Sequence, residues 1–179
     1  MRLKVYRKLN GVTEYWESWQ AAGEAFVHSG RIGDPGETQR FSMKEPGNAR
    51  RVIEEVEKVG KAGFKPISFE DCDQIVIHYR LEQWGSVEDH TRRVEIEDQM
   101  NACLGRTCLG YCDGGEIGSG SVNVFCEVLD AAIAEPVIVN DLREHGKLEG
   151  AVIAKRERKG DDAYKVIWPK DFVGAFNLF

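Results

Sequence analysis

The sequence has no apolar run of about 18 residues, the length a membrane-spanning helix requires, so no membrane span is expected. Its first ten residues, MRLKVYRKLN, alternate charged and apolar side chains and lack the apolar centre of a secretory signal, which predicts a cytoplasmic protein of bacterial style. Cysteine is sparse and odd in number. Cys103, Cys108 and Cys112 crowd together while Cys72 and Cys126 stand apart, five in all. A disulfide framework uses an even set in a small secreted domain, so these read as reduced thiols. No internal repeat or low-complexity tract interrupts the chain. Neither a Gly-Lys-Ser/Thr phosphate loop nor a Gly-x-Gly-x-x-Gly dinucleotide fingerprint is present, which removes the two commonest glycine-loop nucleotide sites.

What is present suits one full domain or two small ones: 179 residues, 42% hydrophobic and 30% charged. The net charge of −6 is unevenly spread. Residues 1–70 hold 12 Lys and Arg against 10 Asp and Glu, whereas residues 71–179 hold 12 against 20. The first part tolerates a polyanion and the second repels one, as expected of two domains with different partners.

In the first part, Leu3 and Val5 begin a strand that reaches the hairpin signal Asn10-Gly11, and Val12 to Trp19 return. Gly23 marks the next turn. Ala25 to Ile32 form a third strand, Asp34-Pro35-Gly36 turns the chain, and Thr38 to Met43 form a fourth. Ala49, Val52, Ile53, Val56 and Val59 then recur at helical spacing, closed by Gly60, Gly63 and Pro66.

The acidic stretch 68–73 is the expected linker between a domain at 1–67 and another at 74–179. Beyond it come a strand at Gln74–Tyr79, a helix entered at Ser86-Val87-Glu88-Asp89, and strands at Arg106–Tyr111 and Ser121–Leu129 joined by a glycine-rich corner. A helix at 131–145 containing Pro136 follows, then a hairpin of Gly150–Ala154 and Tyr164–Trp168 across Lys159-Gly160-Asp161-Asp162. The expected fold class is α+β in two small domains: a four-stranded antiparallel sheet with one helix, then a βαββαβ ferredoxin-like sheet with an extra terminal strand.

Tyr15-Trp16, the run Val27-His28-Ser29-Gly30-Arg31-Ile32-Gly33, Gly36, and a helix ending in Lys61-Ala62-Gly63-Phe64 carry a resemblance. On these pieces residues 2–67 resemble a WGR domain, a module that senses DNA breaks in poly(ADP-ribose) polymerases. The resemblance implies that Arg31 approaches a nucleic-acid end, with Ser29 standing where the signature Trp belongs. Arg31 can still grip a phosphate with two hydrogen bonds, whereas Ser29 has no ring for base stacking. Gly30, Gly33, Ser29 and Arg40 complete the expected nucleic-acid-binding set. The structural alternative for Arg31 is an ion pair with Glu24, Asp34 or Glu37. Residues 74–179 resemble an uncharacterised bacterial ferredoxin-like domain, and nothing in 71–179 resembles an ADP-ribosyl transferase.

Other chemistry is thinly signalled. The corner from Asp113 to Ser121 reads as a bend, or as a candidate ligand corner through Asp113, Glu116 and Ser119. Three cysteines lack the fourth ligand of a structural zinc site, so no metal is expected, nor any cofactor. His78, His90 and His145 stand in no motif that fixes catalytic geometry, and no catalytic residue is assigned.

The expectation is a non-enzymatic two-domain binding protein that contacts DNA or another anionic partner weakly and in a salt-sensitive way. The alternatives are an acidic inhibitor- or immunity-type protein that binds a basic partner through its second domain, and a small-molecule sensor. An edge-to-edge homodimer is the expected assembly if one forms.

Overall fold

A computed structural model describes residues 2–68, 72–82, 85–158 and 163–178. The chain divides into two compact units, Met1–Ser68 and Phe69–Phe179. The fold is α+β, as the sequence predicts.

In the first unit, strands β1 (Leu3–Leu9), β2 (Val12–Ala21), β3 (Glu24–Arg31) and β4 (Glu37–Ser42) form an antiparallel meander in chain order, followed by helix α1 (Asn48–Lys61). Asn10-Gly11 and Ala22-Gly23 both turn with two positive φ angles, the twist that two-residue hairpins prefer. Val5, Trp16, Val27 and Val59 make the core, with Leu3, Phe41, Val56 and Phe64 packed on it. The expected five-residue apolar stripe of α1 is narrower in the structure. Val52, Val56 and Val59 face inward, but Ala49 is exposed and Ile53 is 58% exposed, because one helix over four strands covers only a narrow strip. After α1 the chain returns to the edge of β1, where Tyr6 and Lys65 exchange two backbone hydrogen bonds of 2.9 Å.

The second unit runs β5 (Asp73–Arg80), α2 (Val87–Arg106), β6 (Gly110–Gly118), β7 (Ser121–Val128), α3 (Ala131–Glu144), β8 (Ala151–Arg156) and β9 (Lys165–Trp168). Its antiparallel sheet has the order β6-β7-β5-β8-β9, a split βαβ unit with β9 added at one edge. Strand β5 begins at Asp73, inside the expected linker, and residues 69–71 of that linker lie outside the described residues. Ser86 and Asp89 form the expected capping box: the Ser86 hydroxyl accepts from Asp89 N–H at 3.1 Å and the Asp89 carboxylate accepts from Ser86 N–H at 2.8 Å. Asp130 caps α3 by accepting from Ala132 N–H and Ile133 N–H, and Pro136 sits within that helix. Ile75, Ile77, Val122, Val124 and Ile153 of the sheet form the core together with Ile96, Met100 and Leu104 of α2 and Ile138 and Leu142 of α3.

Two expectations are corrected here. Residues 106–109 are not strand: α2 continues to Arg106, and the chain turns through Thr107 and Cys108, whose φ is +50°, before β6 opens at Gly110. The glycine-rich segment is the body of β6 rather than a corner. A Cβ on Gly110 would lie 1.9 Å from the Glu127 carbonyl oxygen, and one on Gly115 would lie 2.5 Å from that of Asn123. Glycine is needed there because the neighbouring backbone approaches too closely for a side chain. The reversal itself falls at Ser119-Gly120. The turn expected at Lys159–Asp162 lies outside the described residues.

Candidate functional site

Arg31 ends β3, and the two hairpin turns before it decide what stands beside it. The Asn10-Gly11 turn sets Arg7 opposite Glu14, and the Ala22-Gly23 turn sets Glu14 opposite Arg31 and Trp16 opposite Ser29. A glutamate thus lies between two arginines across three strands. Arg7 takes it: Nε and Nη2 donate to Glu14 Oε2 at 3.1 and 2.5 Å. Arg7 is further held by donation from Nη1 to the Ala62 carbonyl at 3.1 Å and by the Phe64 ring, 4.7 Å from its guanidinium. Arg31 is exposed, and among the described residues no carboxylate oxygen lies within 4 Å of it. The expected alternative of an ion pair with Glu24, Asp34 or Glu37 is not formed; Glu24 pairs with Arg40.

Arg31 borders an open cleft of about 440 Å³ on the side of the sheet that carries α1, with Ser29, Gln39, Glu55 and Phe64 among its walls. Its two carboxylates are both neutralised, Glu14 by Arg7 and Glu55 by Lys58 at 2.6 Å, which leaves the Arg31 charge in excess. Ser29 lies on this cleft as well. Trp16, opposite it, is 4% exposed and belongs to the core, so it does not replace the missing signature ring.

The glycines of this stretch serve the fold. Asp34 N–H donates to the Arg31 carbonyl at 3.1 Å, closing a turn in which Gly33 takes φ +92°. A Cβ on Gly30 would meet Gly36 Cα at 2.9 Å and the Tyr15 hydroxyl at 3.0 Å, so the two glycines stack over that tyrosine.

Arg40 must be taken out of the expected set. It stands opposite Phe26, on the other face of the sheet from Arg31, where it pairs with Glu24 at 2.5 Å and lies over the Phe26 ring. Four other basic residues of this unit are also engaged. Arg2 and Lys4 serve the buried Glu17 carboxylate together with His28 Nδ1, Arg50 serves Glu54, and Arg51 lies over Phe41. Burial alone would raise the Glu17 carboxyl; the His28 hydrogen bond and the Lys4 and Arg2 charges outweigh it and hold the group below its ordinary range.

Compared with known proteins, the chain matches no family model, no curated protein and no solved structure. The geometry therefore has to carry the functional reading.

In the second unit the expected ligand corner divides. Asp113 is exposed within the β6 bulge, and Ser119 sits in the hairpin turn. Glu116 accepts from Asn123 Nδ2 at 3.1 Å. The crowded cysteines do not act together: Cys108 donates to the Gly105 carbonyl, whereas Cys112 stands opposite Cys126 across two strands. A hydrogen bond from Cys126 pulls the Cys112 thiol below its ordinary range, and the same contact with burial drives Cys126 well above it. Burial, aided by Asp141, pushes Cys103 up to about 12. Thiolate grows with pH and reaches the lower group first, so iodoacetamide at pH 8 is expected to modify Cys112, the less buried of the two, before Cys103. Peptide mass spectrometry over time reads this order, and earlier modification of Cys103 would contradict it.

Proposed function

We propose that the protein is a non-enzymatic two-domain binding protein whose first unit grips an anionic partner, a nucleic-acid phosphate, through Arg31. The observation that carries this reading is an exposed guanidinium without a carboxylate partner, beside a cleft whose own carboxylates are both neutralised. The resemblance of residues 2–67 to a WGR module points the same way. A planar guanidinium presents paired N–H donors that match two phosphate oxygens.

Arg2 and Lys4 are committed to Glu17, Arg40 to Glu24 and Arg50 to Glu54, so few cations are left to add phosphate contacts to that of Arg31. Binding is accordingly weak, with Kd on the order of 10⁻⁵ M and a shallow salt slope. The excess of acidic residues in 71–179 repels the remainder of a polyanion and favours a short or terminal segment.

The test is a titration of a short fluorescent DNA duplex with the full chain at several salt concentrations. Arg31→Ala is expected to weaken binding about tenfold and to lower the salt slope by about one, whereas Arg40→Ala, on the opposite face, changes affinity less than about twofold. Absence of wild-type binding at low salt, or equal losses in the two variants, would overturn the proposal.

A further inference from the structure

The face of the second sheet that carries His78 and Asn123 bears a hydrogen-bonded chain that no stability argument requires to end where it does. Glu116 Oε1 accepts from Asn123 Nδ2 at 3.1 Å, and the Ser121 hydroxyl lies 3.3 Å from the same nitrogen. A carboxylate can only accept, so the Asn123 amide is fixed with its oxygen turned to His78. That oxygen lies 2.7 Å from His78 Nδ1 and accepts its N–H. The Nδ1 proton thus placed, the Nε2 of the neutral ring is a hydrogen-bond acceptor.

His78 is only 7% exposed, yet no described group partners its Nε2. Among the described residues no side-chain nitrogen or oxygen is both fully enclosed and unpartnered, so Nε2 opens into the space beside it. That space is a pocket of about 310 Å³ lined by His78, Arg80 and Ser121 on the sheet, by Ser119 in the hairpin turn, and by Phe172 and Phe176 of the C-terminal segment. Phe176 meets the His78 ring edge-on at 5.4 Å and Phe172 at 6.4 Å. Arg80 is two positions along β5 from His78, which puts both side chains on one face with Cα atoms about 7 Å apart. Arg80 is exposed, and no ion pair engages it among the described residues. An unpaired cation, a buried acceptor of fixed direction and aromatic walls thus converge on a volume at the small end of ligand sites.

We propose that this pocket binds a small aromatic carboxylate carrying a hydroxyl donor, the carboxylate on Arg80 and the hydroxyl on His78 Nε2. The apolar body of such a ligand matches Phe172 and Phe176, and its two polar ends match the two unsatisfied groups. Glu116 and Asn123 are positioning residues that hold the imidazole in the accepting tautomer. The site is independent of Arg31, so the two proposals succeed or fail separately.

The probe is 4-hydroxybenzoate, added to the full chain while the imidazole nitrogens are followed by long-range ¹H–¹⁵N NMR. The free protein is expected to show His78 protonated at Nδ1. The ligand is expected to shift Nε2 saturably, with Kd on the order of 10⁻⁴ M for about ten heavy atoms. Benzoate, lacking the hydroxyl, is expected to bind at least about tenfold more weakly because it leaves the buried acceptor unpaired. Arg80→Gln, an exposed change that the fold tolerates, is expected to lose about tenfold for 4-hydroxybenzoate. A free-protein spectrum with the proton on Nε2, no saturable shift at millimolar 4-hydroxybenzoate, or equal affinity in Arg80→Gln would each overturn the proposal.

Discussion

Gly36→Ala is expected to destabilise the first unit by about 3 kcal/mol, although it adds a single methyl group. That methyl would lie 1.9 Å from the Tyr15 hydroxyl and 2.6 Å from the Ser29 carbonyl, at a backbone φ of +64°. Tyr15 is 1% exposed and its hydroxyl lies 2.8 Å from His28 Nε2, so the ring has no room to retreat. Gly23→Ala provides the control. It shares the positive φ, but nothing lies within 4 Å of the added atom, so only the conformational cost of about 1 kcal/mol remains. Urea unfolding of both variants separates steric from backbone cost. Adding Tyr15→Phe removes the clashing oxygen and should restore part of the loss. A Gly36→Ala no worse than Gly23→Ala would show that the turn is not packed on Tyr15.

The second large effect is expected at Arg158. Glu127 is 2% exposed, and its carboxylate accepts from Arg158 Nη2 at 2.8 Å and from Gln74 Nε2 at 2.9 Å. Removing the guanidinium leaves a buried charge with, among the described residues, the neutral Gln74 amide as its remaining side-chain donor. Arg158→Ala is expected to cost about 3 kcal/mol, the low end for a broken buried pair because Arg158 is itself partly exposed. Glu127→Gln combined with Arg158→Ala should recover most of this, since no charge is then stranded. Denaturant midpoints of the two single variants and the double variant complete the cycle. Simple additivity would mean that the pair is not coupled.

Much of the fold was legible because local signals and the global pattern agree. Two-residue turns at Asn10-Gly11 and after Ala21 fix strand register, and register alone places Arg7, Glu14 and Arg31 in one row. Counting those pairs would have shown that Glu14 is shared and that Arg40 faces the other way. Ser86 and Asp89 announced α2, and Ile96, Met100, Cys103 and Leu104 announced its buried side. The errors lie where tertiary contact overrides local pattern. Ile53 repeats at helical spacing but stays exposed, and Gly115 reads as part of a corner although it lies within a strand, pressed against the Asn123 carbonyl. His78 looked ordinary because its meaning depends on Asn123 and Glu116, which only the sheet brings to it.

The order of strands in each sheet also governs how quickly each can be assembled. Every neighbour in the first sheet is the next strand in the chain, so each pairing closes over a short loop and loses little chain entropy. In the second sheet, β5 waits for β7 on one side and β8 on the other, and Gln74 meets Arg156 from 82 positions away. Low contact order in the one and high contact order in the other predict that the meander is structured early, while the central strand of the second sheet remains an unpaired edge until both its partners arrive. During that interval Ile75, Val76 and Ile77, which are wholly buried in the native state, form the stretch most exposed to aggregation.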